Sequence, residues 1–227
     1  MDDPVADLHI HSCYSHDSFL TPRTILKRAK AAGLSCIAIT DHGTIRGGIE
    51  VQKSACNYAI EVIVGTEIRT DYGDIIGFCL ENEIQATRWD DVIADIKNQN
   101  GIVVLPHPYR DHVAVDQIAQ KADFIEIWNA RSTQEQNAFA ANLAKRFSKP
   151  GIFGSDAHVS SEIGSVKTQI DRATLRCKKV LCTRPSTADE IQRSQIISLV
   201  KQRKWGTLIS QGTRYMSKKI RHYYNNW

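Results

Sequence analysis

Residues 5–40, VADLHIHSCYSHDSFLTPRTILKRAKAAGLSCIAIT, decide the fold. An apolar run, Val5–Ile10, gives way to a polar stretch. An amphipathic segment then starts at Thr21-Pro22 and stops at Gly33, and a second apolar run follows at Cys36–Thr40. Pro suits the first helical position because its missing N–H has no partner there, and Gly just past the end suits a helix stop. The stretch therefore reads strand–helix–strand. Working outward, Glu61–Glu67, Asp74–Leu80, Gly101–Leu105, Phe124–Trp128 and Gly151–Gly154 read as further strands. Thr87 to Asn100 and Ser132 to Ser148 read as helices. Such alternation predicts βαβ units and a mostly parallel sheet. Seven such strands favour an α/β fold of the (β/α) barrel type, distorted or incomplete, over an open doubly wound sheet.

The chain has 227 residues, enough for one barrel-sized domain with a small appendage. The acidic start Met1-Asp2-Asp3-Pro4 has no apolar signal region, and no window approaches the ~18 apolar residues of a membrane span. Six cysteines, Cys13, Cys36, Cys56, Cys79, Cys177 and Cys182, form no CxxC pair and read as reduced packing residues of a cytoplasmic protein, with Cys13 set apart in a polar loop. The net charge of +4 is unevenly spread. From Ile191 onward there are eight Lys or Arg and no acidic residue, so residues 1–190 carry 21 basic and 25 acidic groups, a net of −4. The break falls near Thr183-Arg184-Pro185-Ser186, and Thr187-Ala188-Asp189-Glu190 reads as a capping box opening a basic helix. The expected organisation is a barrel over 1–185 and a short basic, aromatic-rich helical extension over 186–227.

The chemistry concentrates at the ends of the strands. In a strand, residues two apart share a face, so His9 and His11 project together. Asp156-Ala157-His158 repeats the pattern after Gly151–Gly154, and Thr40-Asp41-His42, Gly65-Thr66-Glu67 and Pro106-His107-Pro108 end three more strands. Five of the eight histidines fall at such ends, where a barrel gathers its catalytic face. Imidazole and carboxylate without thiolate suit Mn, Fe or Zn. A single tetrahedral site needs about four ligands, and the surplus argues for two or three divalent ions, bridged by a carboxylate such as Glu67.

The ordered set Asp7-Leu8-His9-Ile10-His11-Ser12 to Ser15-His16-Asp17, Thr40-Asp41-His42-Gly43, Gly65-Thr66-Glu67, His107-Pro108 and Gly154-Ser155-Asp156-Ala157-His158 resembles the PHP family, the polymerase and histidinol phosphatase family. The resemblance covers about residues 5–170 and is specific as an ordered set. It implies a distorted (β/α)7 barrel with a trinuclear site that hydrolyses phosphate esters with metal-activated water. It also implies that His9, His11, Glu67 and Asp156 hold one ion, Asp17, His42 and His158 another, and Glu67 and His107 the third. Many relatives carry a His on the next strand where this chain has Asp74, a carboxylate able to ligate the same metals or an ordinary strand-start residue.

Around these ligands, His42 or His107 is expected to pass a proton to the leaving group. Arg110 and Arg131, with Arg69 behind them, are expected to meet phosphate oxygens. Glu126 reads either as support behind the ligands or as structural, the structural reading preferred, His112 and His222 read as surface residues, and Ser15-His16-Asp17 is rejected as a triad because adjacent residues do not converge on one proton relay. The expected substrate is a phosphorylated small molecule or nucleotide. Lys201, Arg203, Lys204, Arg214, Lys218, Lys219 and Arg221, interleaved with Trp205, Tyr215, Tyr223, Tyr224 and Trp227, also fit single-stranded nucleic acid. A nuclease trimming nucleic acid ends, a noncatalytic metal-stabilised module of a larger assembly and an amide-cleaving hydrolase are the alternatives.

Overall fold

The computed structural model describes residues 4–171, 176–182, 186–204 and 207. Nine strands form one sheet: β1 (Val5–Ile10), β2 (Cys36–Ile39), β3 (Glu61–Thr70), β4 (Gly73–Phe78), β5 (Ile102–Leu105), β6 (Phe124–Asn129), β7 (Gly151–Gly154), β8 (Val166–Asp171) and β9 (Arg176–Cys182). Their order is β7-β6-β5-β4-β3-β2-β1-β8-β9. The sheet curls until β7 lies beside β1 and β8, a nearly closed barrel of the distorted (β/α)7 kind. The seam is bridged by His11 N–H to Ala157 O at 2.9 Å and Ala157 N–H to His9 O at 3.2 Å.

The helices are α1 (Pro22–Ala31), α2 (Arg46–Ala55), α3 (Trp89–Asn98), α4 (Val115–Lys121), α5 (Gln134–Arg146) and α6 (Ala188–Lys201). Pro22 does open α1, behind a Thr21 cap. α5 and α6 each begin with a capping box, Thr133 with Gln136 and Thr187 with Glu190. No described helix is long and apolar enough to cross a membrane.

The sheet is less parallel than the alternation predicts. β4 runs antiparallel to both β3 and β5. β3 continues past Glu67 to Thr70, which pairs with Gly73, so only Asp71 and Tyr72 join the two strands. A crossover helix needs a dozen or more residues, and a two-residue link permits only a hairpin. Gly73 turns the chain with φ +122°, a conformation that L side chains rarely adopt. This reversal brings the first residue after the turn, Asp74, to the same mouth that the parallel strands reach with their last.

Two-residue alternation builds the interior. Ile63, Ile76, Phe78, Phe124 and Ile152 fill the barrel floor, together with Ala6, Leu8, Cys36, Ala38 and Val104. On the same phase, Glu67, Asp74 and Glu126 rise above them toward the mouth. β1 departs from strict alternation. Its pairing with β2 shifts between Asp7 and Ile10, and beyond the shift Ile10 packs outward with Ile25, Leu26 and Ile37. Such an irregularity re-aims side chains, and here it turns His9 and His11 inward above Leu8.

Asp7 is fully buried and accepts N–H groups from Ser155 at 3.0 Å and Gly164 at 2.9 Å. Burial pushes its carboxyl up to about 6 against those hydrogen bonds. Cys36 is a core residue as expected, whereas Cys56 and Cys79 are exposed, and Cys13 is half-buried. Cys56 lies in the helical turn after α2, and Cys79 follows the last residue of β4 with φ 60°, so neither apolar run carries its cysteine into the core. The side chains of Cys177 and Cys182 lie outside the described residues.

Candidate metal centre

The ends of β1, β2, β3, β5 and β7 and the start of β4 contribute to one cluster. His9, His11, Glu67, His107, Asp156 and His158 are buried, and Asp17 and His42 lie partly exposed at its outer side. His9 Nε2 and His11 Nε2 approach within 3.1 Å, and Glu67 Oε2 lies 3.3 and 3.2 Å from them. Asp156 Oδ1 is 3.6 Å from His9 Nε2 and 3.4 Å from His11 Nε2. His158 Nε2 and His42 Nε2 lie 2.8 and 3.3 Å from Asp17 Oδ2. Glu67 uses both oxygens: Oε1 is 2.8 Å from His107 Nε2, and Oε2 also lies 3.4 Å from His42 Nδ1. It spans the cluster as a bridging carboxylate would.

Among the described residues four overlapping groups result, each with donor atoms within 4.8 Å of one another: His11, Asp17, His42 and His158; His9, His11 and Glu67; His9, His107 and Asp156; Glu67, Asp74 and His107. Every residue expected to be a ligand is in one of them, Asp74 included.

The hydrogen bonding behind the cluster fits a cation site. His9 Nδ1 faces Glu126 Oε1 at 3.0 Å, and His158 Nδ1 faces the Asp156 carbonyl at 2.7 Å. A ring nitrogen that donates to such an oxygen leaves the other nitrogen with its lone pair free, the tautomer a metal ligand needs. For His158, that lone pair then faces a carboxylate oxygen at 2.8 Å, two acceptors that a cation reconciles. Asp17 Oδ1 and His107 Nδ1 are buried without a hydrogen-bond partner among the described residues.

The electrostatics agree. Burial opposes charge on His9, yet Asp156, Glu126 and Glu67 outweigh it and raise its pKa well above the usual value. Burial likewise opposes charge on His11, but contacts with Asp156 and Glu67 lift it to about 9. Burial raises the Asp156 carboxyl, but Arg110 and His9 more than offset it and hold the pKa well below the ordinary range. Burial keeps His158 neutral, down to about 4. Such a surplus of buried carboxylate calls for positive charge at its centre.

Backbone strain marks two donors. His107 has φ 27° and Asp156 φ 54°, left-handed values that cost a non-glycine residue about 1 kcal/mol or more. Gly154 approaches closely: a Cβ there would meet His9 Cβ at 2.3 Å and Glu126 Oε1 at 2.5 Å.

Four residues in the surrounding layer escape sequence reading. Glu126, expected to be structural, orients His9 and accepts the N–H of His107 at 2.9 Å and Asn129 Nδ2 at 3.0 Å. A carboxylate inside the apolar run Phe124–Trp128 was the available signal. Ser15 Oγ contacts His11 Nδ1 at 3.0 Å and accepts the N–H of His42 at 2.9 Å. Glu162 accepts the N–H of His158 at 2.7 Å, and Asn129 binds Asp156 at 3.3 Å; neither carries a local sequence signal. Ser15 has no contact of the triad type with Asp17. His112, expected at the surface, is half-buried, with its ring nitrogens 2.9 and 2.8 Å from the carbonyls of Arg110 and Asp74.

A cavity of about 550 Å³ opens over the cluster between Arg110, Arg131 and α6, where Gln195 and Ser198 line it together with Lys204 just beyond the helix. Arg110 donates to Asp156 Oδ2 at 2.6 Å. Arg131 grips Glu162 through Nε at 3.0 Å and Nη2 at 3.2 Å, and donates to Ser194 Oγ at 3.0 Å. Arg69 pairs with Asp74 at the surface. A second cavity of about 390 Å³ lies on the other side of His42 and Glu67, lined by His16, Arg69, Gln85 and Thr87. Arg214, Lys218, Lys219, Arg221, His222 and the aromatic residues among them lie outside the described residues.

A family model described as PHP domain matches residues 7–122, and one described as PHP-associated matches 134–182. An uncharacterized protein of Methanocaldococcus jannaschii is 44% identical over 115 residues, 46% of this chain and 67% of that one. A protein of Acetivibrio thermocellus named as a probable phosphatase is 26% identical over 228 residues, 82% of this chain and 94% of its own. A crystal structure from Bacteroides vulgatus, described as a two-domain protein containing a predicted PHP-like metal-dependent phosphoesterase, superposes with a TM-score of 0.63. It is 19% identical, and the match covers 76% of this chain and 61% of that one, a likeness of fold.

Proposed function

This chain belongs to the PHP domain family, and on that premise we propose that it is a phosphoric ester hydrolase working with two or three divalent cations, Mn, Fe or Zn. The convergence of four overlapping donor groups beneath one cavity carries the reading. His9, His11, Glu67 and Asp156 would hold one cation, Asp17, His42 and His158 a second, and Glu67, Asp74 and His107 a third. Cations so held supply acidified water and neutralise phosphate oxygens.

The protein's own groups do the rest. Arg110 keeps N–H groups beyond those given to Asp156 and Asn129, and they are available to a nonbridging oxygen. Arg131 has fewer to spare, with Glu162 and Ser194 already served, and ranks behind Arg110. His42 borders both cavities and is better exposed than His107 for passing a proton to the departing oxygen. The leaving group would lie against α6, in the space bounded by Gln195, Ser198 and Lys204. The substrate is a phosphorylated small molecule or nucleotide.

One observation favours a second reading. The second cavity shares His42 and Glu67 with the first, and the two together would accept chain on both sides of a phosphodiester. A nuclease acting near nucleic acid ends would use it, with the basic residues after 204 as added support.

The test is elemental analysis of the purified protein, with assays on an aryl phosphate, nucleotides, a 5′-phosphorylated oligonucleotide and a bis-aryl phosphodiester. Two or three cations per chain, and hydrolysis abolished in His9→Ala and Asp156→Ala, are expected. Preference for the diester or oligonucleotide would select the second reading. Folded protein that takes up no divalent cation and hydrolyses none of these esters would overturn both.

A further inference from the structure

α6 does more than wall the cavity. Its last residue, Lys201, reaches back across the mouth to the loop that follows β1. Lys201 Nζ donates to the carbonyl of Cys13 at 2.8 Å, to that of Ser18 at 2.5 Å, and to that of Ser15. An ammonium has three N–H donors, and three carbonyls receive them. The same ammonium lies 5.1 Å from the ring centre of Phe19.

Two of those carbonyls, at 15 and 18, bracket Asp17, the residue whose Oδ2 faces His158 and His42. The loop is pinned at its base by Cys13 N–H to Leu20 O at 2.8 Å, and Ser18 Oγ lies 3.0 Å from the carbonyls of both His11 and His158, which share its one proton. Between those pins, three carbonyl dipoles point at one place. They repel one another unless a donor sits there, and without it the loop would turn them out to water. Metal ligation tolerates displacements of only about 0.2 Å, so the loop conformation decides whether Asp17 can share a cation with His42 and His158.

We propose that Lys201 is a positioning residue for the cation site of Asp17, His42 and His158, acting through the backbone of residues 13–18. Helix α6 is then part of the metal centre and not an appendage to it. The proposal rests on the metal-dependent reading above.

Charge and position predict opposite signs, which makes the idea testable. Removing a positive charge near the site, taken alone, would tighten cation binding. Losing the positioning would weaken it, at one site only. The full-length chain, with Lys201→Met and Lys201→Arg variants, would be stripped of metal and titrated with Mn²⁺ by calorimetry, with elemental analysis after dialysis. Lys201→Met is expected to lose one cation per chain, or to bind it at least tenfold more weakly, with the remaining cations held as in the unmodified protein. Lys201→Arg is expected to show the same selective loss at smaller size, because a planar guanidinium cannot place its donors as an ammonium does. Unchanged or tighter binding, or equal weakening at every site, would overturn the proposal. If Lys201→Met does not fold, the selectivity of Lys201→Arg decides by the same criteria. If the unmodified chain binds no Mn²⁺, the metal-dependent reading fails instead.

Discussion

At the scale of single residues, the second layer of the centre is the most exposed to test. Glu126 presents one oxygen to His9 Nδ1 and the other to His107 N–H and Asn129. In Glu126→Gln the amide oxygen would stay with the two N–H donors, and the amide nitrogen would face His9. It would donate to Nδ1 and drive the imidazole proton onto Nε2, the atom that should ligate. Cation affinity is expected to fall about 10- to 100-fold, the usual size of such effects, while the metal-free melting temperature stays within a few degrees. Calorimetric titration beside a thermal melt checks both. His11 gives a second prediction. With its pKa near 9, it carries a proton at pH 7 that an incoming cation must displace. Uptake at pH 7 should release protons, seen as a dependence of the calorimetric heat on buffer ionisation enthalpy. Affinity should rise with pH until about 9, where that competition ends. The candidate ligands are legible because His and carboxylate at strand ends are chemically conspicuous. Ser15, Glu162 and Lys201 are not, since their roles depend on loops whose paths no local pattern dictates.

At the scale of elements, β7 shows how little space the centre leaves. Any side chain at Gly154 would run into His9 and Glu126. Gly154→Ala is expected to cost about 1–3 kcal/mol as overpacking, lowering the urea midpoint and weakening cation binding with it. A variant as stable and as metal-competent as the original would mean that β7 can yield. The seven strands β1 to β7 could be read from apolar runs between turn residues, as could α1, α3, α5 and the start of α6. β4 is legible as a strand but not as a reversed one, because direction depends on the length of the link and not on the run itself. β8, with Lys167, Thr168 and Gln169 at its centre, has no apolar run to announce it, and it forms by pairing with the start of β1. α2 carries Gly47 and Gly48 in its first turn, which argue against helix by propensity. A Cβ at Gly47 would fall 1.7 Å from Asp41 Oδ2, and one at Gly48 would meet Val64 Cγ1 at 3.1 Å, so neither position has room for a larger side chain without a shift.

At the scale of the molecule, protonation and metal act on the same folding equilibrium. His9 and His11 have pKa values raised in the fold, so they contribute stability that is fully present below about 6.5, their unfolded value. For His11 that contribution is lost as pH rises through about 9. Metal-free protein should therefore melt about 5 °C lower at pH 9 than at pH 6.5. Protein saturated with Mn²⁺ should not, because cations replace the protons. A metal-free melting temperature that rises across this range would contradict the electrostatics described for the cluster.

The barrel's seam gives the centre a mechanical consequence. β1 meets the chain beyond β7 through the paired amides of His11 and Ala157 rather than a full ladder. His9 and His11 stand on one side of that join, and Asp156 and His158 on the other. A cation gripping both sides is a clasp on a ring that otherwise closes loosely. The rate at which the amides of His11 and Ala157 trade hydrogen for deuterium would then report how often the ring springs open, and filling the centre should slow that exchange more than exchange in β2, whose four residues all pair in parallel with β3.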